Sequence, residues 1–315
     1  MQEEAILKKE LFTKKDVLLT STLSLSYLLL SYLLIGFKSD QIALILILNF
    51  LYYLSTITRK FIIGFSIFVI FWIIYDYLKA FPNYNYNTVS IEDLYNWEKG
   101  WFGFVDNGIV VTPNEYWLKN SVAFLDVISG IFYLMWVPVP IIFSVFLFLM
   151  NRKKQFLYFL MTFLLVNLIG FVGYYLYPAA PPWYMQYNGT AFIKDTLSNP
   201  AQLINFDRFF NIPIFQTIYS KGSNVFAAMP SLHSAYPLIV LYYGFKNKLG
   251  WLTNIFFAIV VFGIWFAAVY TSHHYVLDVL AGIVTATIGI LLFNWLKDRK
   301  PLKSLIDTML KAITS

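Results

Sequence analysis

The chain has 315 residues, 59% of them hydrophobic, 20% aromatic and 13% charged, with a mean hydropathy of +0.63. A soluble domain carries about 25% charged residues, so this composition excludes a soluble globular protein and describes an integral membrane protein. The formal net charge of +6 is no argument for nucleic acid, because the basic residues are spread over successive loops; the absence of cysteine excludes disulfides, thiol catalysis and cysteine-ligated metal.

Apolar runs long enough to cross ~30 Å of hydrocarbon lie at about 17–36, 41–57, 61–79, 129–150, 156–177, 231–245, 251–270 and 275–296. The first follows a mixed-charge segment and is not succeeded by a small-residue cleavage site, so it reads as a retained span. Pro138 and Pro140 fall inside the fourth run, where a missing N–H and a ring clash predict a kink. Two long polar segments, roughly 80–120 and 178–229, interrupt the runs. Their aromatic content argues against disorder and predicts short interfacial helices, with Trp97, Trp101, Trp117 and Trp183 at headgroup level.

Cationic loops are retained on the cytoplasmic side. With the N-terminus inside, sixteen of the 23 Lys and Arg residues fall on the inner side, among them Lys8, Lys9, Arg59, Lys60, Arg152, Lys153, Lys246 and Lys248. The outer side keeps Lys38, Lys79, Lys99, Lys119, Lys194, Arg208 and Lys221. Both termini are therefore expected in the cytoplasm. The predicted fold class is all-α, a polytopic membrane helix bundle of about eight transmembrane helices with interfacial helices on the outer side. Residues 1–57 form a cytoplasmic segment and two accessory helices, 58–297 the main helical core with its motif-bearing part at 120–297, and 298–315 a cytoplasmic tail.

The three histidines fall in Pro230-Ser231-Leu232-His233-Ser234 and in His273-His274-Tyr275-Val276-Leu277-Asp278. His233 and His274 are 41 residues apart, about two spans of ~20 residues, so a helical hairpin returns both to one membrane face. His274 and Asp278 stand at i and i+4, one turn apart on a helix. The carboxylate can orient one ring nitrogen and leave the other outward as a nucleophile; the spacing alone serves equally a pair that only satisfies itself. His273 sits about 100° round the helix and cannot share that geometry. Pro230 reads as a first helical residue whose followers, Ser231 and Leu232, expose N–H groups to a phosphate, with His233 placed to act as a general acid.

These strings resemble the membrane-bound type 2 phosphatidic acid phosphatase superfamily, whose second motif is Pro-Ser-x-His and whose third contains His-x-x-x-Asp. Tyr177-Pro178-Ala179-Ala180-Pro181-Pro182-Trp183-Tyr184 resembles the inositol phosphorylceramide synthase branch. The resemblance implies a six-helix core and a phosphohistidine mechanism, with His274 as nucleophile, Asp278 as its orienting carboxylate and His233 as general acid and base. Where phosphatases of the superfamily carry Lys, Arg and Arg, this chain has Gly173, Ala180 and Ala268. Losing those cations favours a singly charged phosphodiester over a doubly charged monoester. Candidate substrate or phosphate contacts are Ser231, Leu232, Lys221, Tyr184 and Trp183, with His273 and Ser234 supporting the catalytic residues. Lys221 ranks ahead of Arg208 and Lys194 as a replacement cation.

The reading that follows is a lipid phosphotransferase at the outer leaflet, using a phosphatidylinositol-like donor and a ceramide-like acceptor, with no metal or cofactor. A rival is hydrolysis of a lipid phosphate or isoprenoid pyrophosphate by the same residues. A non-catalytic lipid-binding protein is the third reading, and it predicts that His274→Ala leaves function intact.

Overall fold

The computed structural model describes residues 11–222 and 224–314; Lys8 and Lys9 lie outside the described residues. The eight apolar runs are all helical. In chain order they form α1 (Lys14–Ile35), α2 (Ser39–Leu54), α3 (Thr56–Tyr77), the pair α6 (Ala123–Leu134) and α7 (Pro138–Leu149), α8 (Lys153–Leu176), α12 (Leu232–Lys246), α13 (Trp251–Tyr270) and α14 (Val276–Leu296). Five described helices are long and apolar enough to cross a membrane singly, and the α6–α7 pair makes a sixth. Two of the expected spans are shorter: α2 has 16 residues and α12 has 15, roughly 22–24 Å at 1.5 Å per residue.

The kink expected at Pro138 and Pro140 is a 44° bend between α6 and α7. It aims two rings at the second motif: Trp136, in the break, meets His233 edge-on at 4.6 Å between centroids, and Tyr133 lies 5.1 Å from the same ring.

The core is built around α8, whose Phe156, Leu157, Phe159, Leu160, Phe163 and Val166 are buried against α3, α7, α12 and α14. Outward faces stay apolar, as at Leu18, Leu25 and Leu33 of α1, because a lipid-facing surface needs no polar covering. The segment read as a tail is instead a helix, α15 (Lys300–Thr314), which buries Ile306 and Ile313 against α3 and α8. Its Lys300, Lys303 and Lys311 are exposed.

The polar segment 80–120 carries the expected short helices, α4 (Glu92–Phe102) and α5 (Pro113–Lys119), and also a small hairpin, Phe104–Asp106 with Ile109–Val111. The hairpin turns on Asn107 and Gly108, both at positive φ (48° and 81°), the pairing that a two-residue turn between twisted strands favours. Segment 178–229 adds α9 (Pro182–Asn188), α10 (Ile204–Phe210) and α11 (Ile214–Ser220). Trp97 and Trp101 are exposed, as expected of interfacial rings, and Trp117 packs on Phe266 and Tyr270. Trp183 departs from the expectation: it is buried.

The start of α12, the start of α14 and both polar segments share one end of the bundle. Arg152 and Lys246 lie at the other, where Arg152 bonds the Asn247 carbonyl and Lys246 bonds Asn294.

Candidate active site

Two local stops create the site. At Ser231 the hydroxyl accepts the Ser234 N–H and caps α12, with Ser234 Oγ donating to Ser231 Oγ at 3.0 Å. Pro230 therefore precedes the cap and is not the first helical residue. At the end of α13 the chain turns through Thr271–Tyr275, with Ser272 at φ 59°, a conformation uncommon outside glycine, Asn and Asp. The Ala268 carbonyl accepts both the His273 and His274 N–H groups, at 3.1 and 3.0 Å, and the Trp183 N–H donates to the Ser272 carbonyl. His274 thus lies in a turn before α14, not on a helix with Asp278.

The two motifs meet because α12 and α14 approach closely. A Cβ at Gly282 would collide with the Ser231 carbonyl, and the Ser231 N–H donates to the Asp278 carbonyl at 2.9 Å. His233 Nδ1 and His274 Nε2 consequently face each other at 3.1 Å, with His274 buried and His233 half-buried. His274 Nδ1 is 3.6 Å from Asp278 Oδ2, an approach longer than a hydrogen bond, while the same carboxylate oxygen accepts the Tyr275 N–H at 2.8 Å. Burial pushes the His274 imidazole down to about 4, against the opposing pull of the Ala228 carbonyl. The ring is neutral at pH 7, the form in which a nitrogen lone pair can attack.

Among the other expected contacts the structure discriminates. Leu232 lines a cavity together with His233. Ser231 is fully buried with its N–H bonded to Asp278, so that donor is committed to joining the motifs and does not face a phosphate. His273 packs between Tyr133 and Tyr219, at 5.2 and 4.7 Å between centroids, with Nδ1 on Thr271.

Three candidates are corrected. Lys221 is exposed and pairs at 3.1 Å with Asp40, the residue after the start of α2, and it does not line the cavity beside His233. Trp183 and Tyr184 are packed with Ile91, Val225 and Phe226, the Tyr184 hydroxyl bonding the Ala191 carbonyl and the Ile193 N–H. They hold the polar segments together and do not line the cavity beside His233. Lys194 and Arg208 are exposed, Asp76 pairs with Lys79 at 2.7 Å, and Asp126 accepts from the Tyr270 hydroxyl.

Segment 80–120 supplies residues that no motif pointed to. Fully buried Asn114 donates to the His274 carbonyl at 3.0 Å and the Val269 carbonyl at 2.8 Å, tying both sides of the turn that carries His274. Asn83 likewise bridges the Tyr174 and Phe226 carbonyls. Fully buried Glu98 accepts the Val276 and Leu277 N–H groups at the start of α14, at 3.0 and 3.1 Å, where a helix presents unsatisfied donors. The available signal was indirect: an aromatic-rich, ordered loop whose Thr112-Pro113-Asn114-Glu115 reads as a helix start.

Burial pushes the Glu98 carboxyl up from 4.5 to about 7, with the nearby Asp278 carboxylate adding to the rise and the two N–H bonds opposing it. The native state therefore binds a proton that the unfolded chain has released above pH 4.5, so stability falls as pH rises from about 4.5 to about 7. Glu98→Gln cannot ionise and is expected to flatten that fall. Thermal unfolding midpoints of the solubilised protein across this window check it; the same slope in both proteins would refute it.

Two histidines and a carboxylate thus meet at one end of a bundle whose helices are long and apolar enough to cross a membrane, an arrangement able to carry phosphoryl transfer. Residues 107–292 match the PAP2 superfamily, and the chain belongs to it. The chain is 43% identical over 283 residues to a phosphoinositol dihydroceramide synthase of Bacteroides thetaiotaomicron, covering 90% of this chain and 93% of that protein. It is also similar to the inositol phosphorylceramide synthase catalytic subunit of Saccharomyces cerevisiae (33% over 123 residues, 38% of this chain and 29% of that one) and to the synthase of Candida albicans (28% over 162 residues, 50% and 33%). No solved structure matches the chain.

Proposed function

We propose that the protein is a membrane lipid phosphotransferase that moves phosphoinositol from a glycerophospholipid to a ceramide-like alcohol through a phosphohistidine, at the extracytoplasmic membrane face, with both termini cytoplasmic. The observation that carries the chemistry is the 3.1 Å approach of His233 to His274 with Asp278 beside the latter. The substrates rest on similarity over nearly the whole length of the bacterial synthase, and the sidedness on the distribution of Lys and Arg.

His274 Nε2 attacks the phosphorus of the donor diester, forming a P–N bond as the bond to the diacylglycerol oxygen breaks. His233 gives that oxygen its proton. The acceptor hydroxyl then returns a proton to His233 while its oxygen attacks phosphorus and the P–N bond breaks, which restores both rings. Asp278 stabilises positive charge on His274 during attack.

Purified protein given headgroup-labelled phosphatidylinositol is expected to transfer label to ceramide and to release little water-soluble label without it. Release of headgroup phosphate at the same rate with or without ceramide would replace the transferase reading by a hydrolase.

A further inference from the structure

Next to His233 lies a cavity of about 190 Å³ whose walls are largely aromatic, with Tyr75, Tyr133, Trp136, Tyr174 and Tyr219 among them. Three of its lining residues bring other polar groups: Lys79, Ser198 and Asn224. Both amide atoms of Asn224 are shielded from solvent, and neither has a hydrogen-bond partner among the described residues. A shielded amide in that state is unfavourable and rare in folded proteins, and this one lines a cavity where a ligand can complete it.

Lys79 is the one cation among the described lining residues. One of its three N–H donors serves Asp76 at 2.7 Å, which leaves two for a ligand. Because Asp76 already balances the ammonium, the pair suits one added negative charge better than two. An amide offers a donor and an acceptor together, as a hydroxyl does, and aromatic faces accommodate the C–H faces of a ring. Lys79 also stands outside residues 107–292, the stretch that matches the superfamily. At Gly173 a Cβ would meet the Pro230 ring at 2.8 Å, so a long cationic side chain does not fit there.

We propose that this cavity is a headgroup subsite for a polyol phosphodiester, in which Lys79 contacts the phosphate and Asn224, with Ser198, binds ring hydroxyls. The assignment rests on the transferase reading above and specifies the donor that this site selects.

The test uses the full chain in nanodiscs, carrying His274→Ala to block turnover, titrated calorimetrically with three soluble probes: glycerophosphoinositol, glycerophosphocholine and inorganic phosphate. Glycerophosphoinositol is expected to bind most tightly. Lys79→Met should weaken both diesters by about tenfold or more, the range of a charge-assisted bond, and Lys79→Arg should restore affinity to within about threefold. Asn224→Leu should weaken glycerophosphoinositol about tenfold and leave glycerophosphocholine unchanged; Asn224→Gln, which keeps the amide, covers the case in which leucine disturbs the fold and should retain part of the preference. Unaltered affinities in Lys79→Met and Asn224→Leu, no binding of glycerophosphoinositol, or inorganic phosphate binding as tightly as the diesters would overturn the subsite. Failure of the unsubstituted chain to transfer label to ceramide, with these affinities as expected, would strike only the transferase reading.

Discussion

His274→Ala is expected to lower the turnover number by about 10⁴-fold or more, in protein that still inserts and purifies normally. The size follows from what the residue does: removing it deletes the atom that bonds to phosphorus and leaves no second nucleophile in position, since the neighbouring imidazole of His273 is clasped by Tyr133, Tyr219 and Thr271. The low basicity imposed by burial keeps His274 neutral, the form able to attack phosphorus, throughout the physiological range. His273→Ala serves as control and should lose less than about tenfold, the scale of a packing change that shifts a catalytic group slightly. Initial rates of headgroup transfer measure both, and equal losses would mean that the wrong imidazole has been assigned.

His233→Ala should cost about 10²–10⁴-fold, the usual worth of a positioned general acid or base. Here the loss depends on the substrate, which separates proton transfer from mere support. A diacylglycerol oxygen departs as a strongly basic alkoxide unless protonated; an aryl oxide departs readily without help. A phosphodiester donor with a nitrophenyl leaving group should therefore recover much of the lost first-step rate in His233→Ala and almost none in His274→Ala. Burst kinetics with that donor give the first step directly. Identical losses on both donors would leave His233 with a role in holding His274, through their 3.1 Å contact, rather than in moving a proton.

The contrast between the two histidines and Lys221 shows where reading a chain stops short. His233 and His274 were identifiable from local strings, and a two-helix interval was enough to bring them to one face. Lys221 was favoured by nearness in sequence to the second motif, yet it pairs with Asp40. Lys79, 154 residues before His233 in the chain, lines the cavity beside that histidine. Distance along a chain is informative within a helix or a hairpin and carries little weight between them. The same holds for Asp278: its i, i+4 spacing suggested a shared helical face, whereas a turn at Thr271–Tyr275 brings His274 to 3.6 Å from the carboxylate.

Hydropathy and the proline positions sufficed for the class of molecule, its helical runs and the α6–α7 kink, because each depends on neighbours within one or two turns or on partition between water and lipid. Contacts between segments far apart settled the rest: the meeting of the imidazoles across the close approach at Gly282, the clasp of Glu98 and Asn114 on the turn around His274, and the burial of Trp183 and Tyr184. Those arrangements arise from side-chain packing and from satisfying buried donors across the fold, which no local pattern encodes.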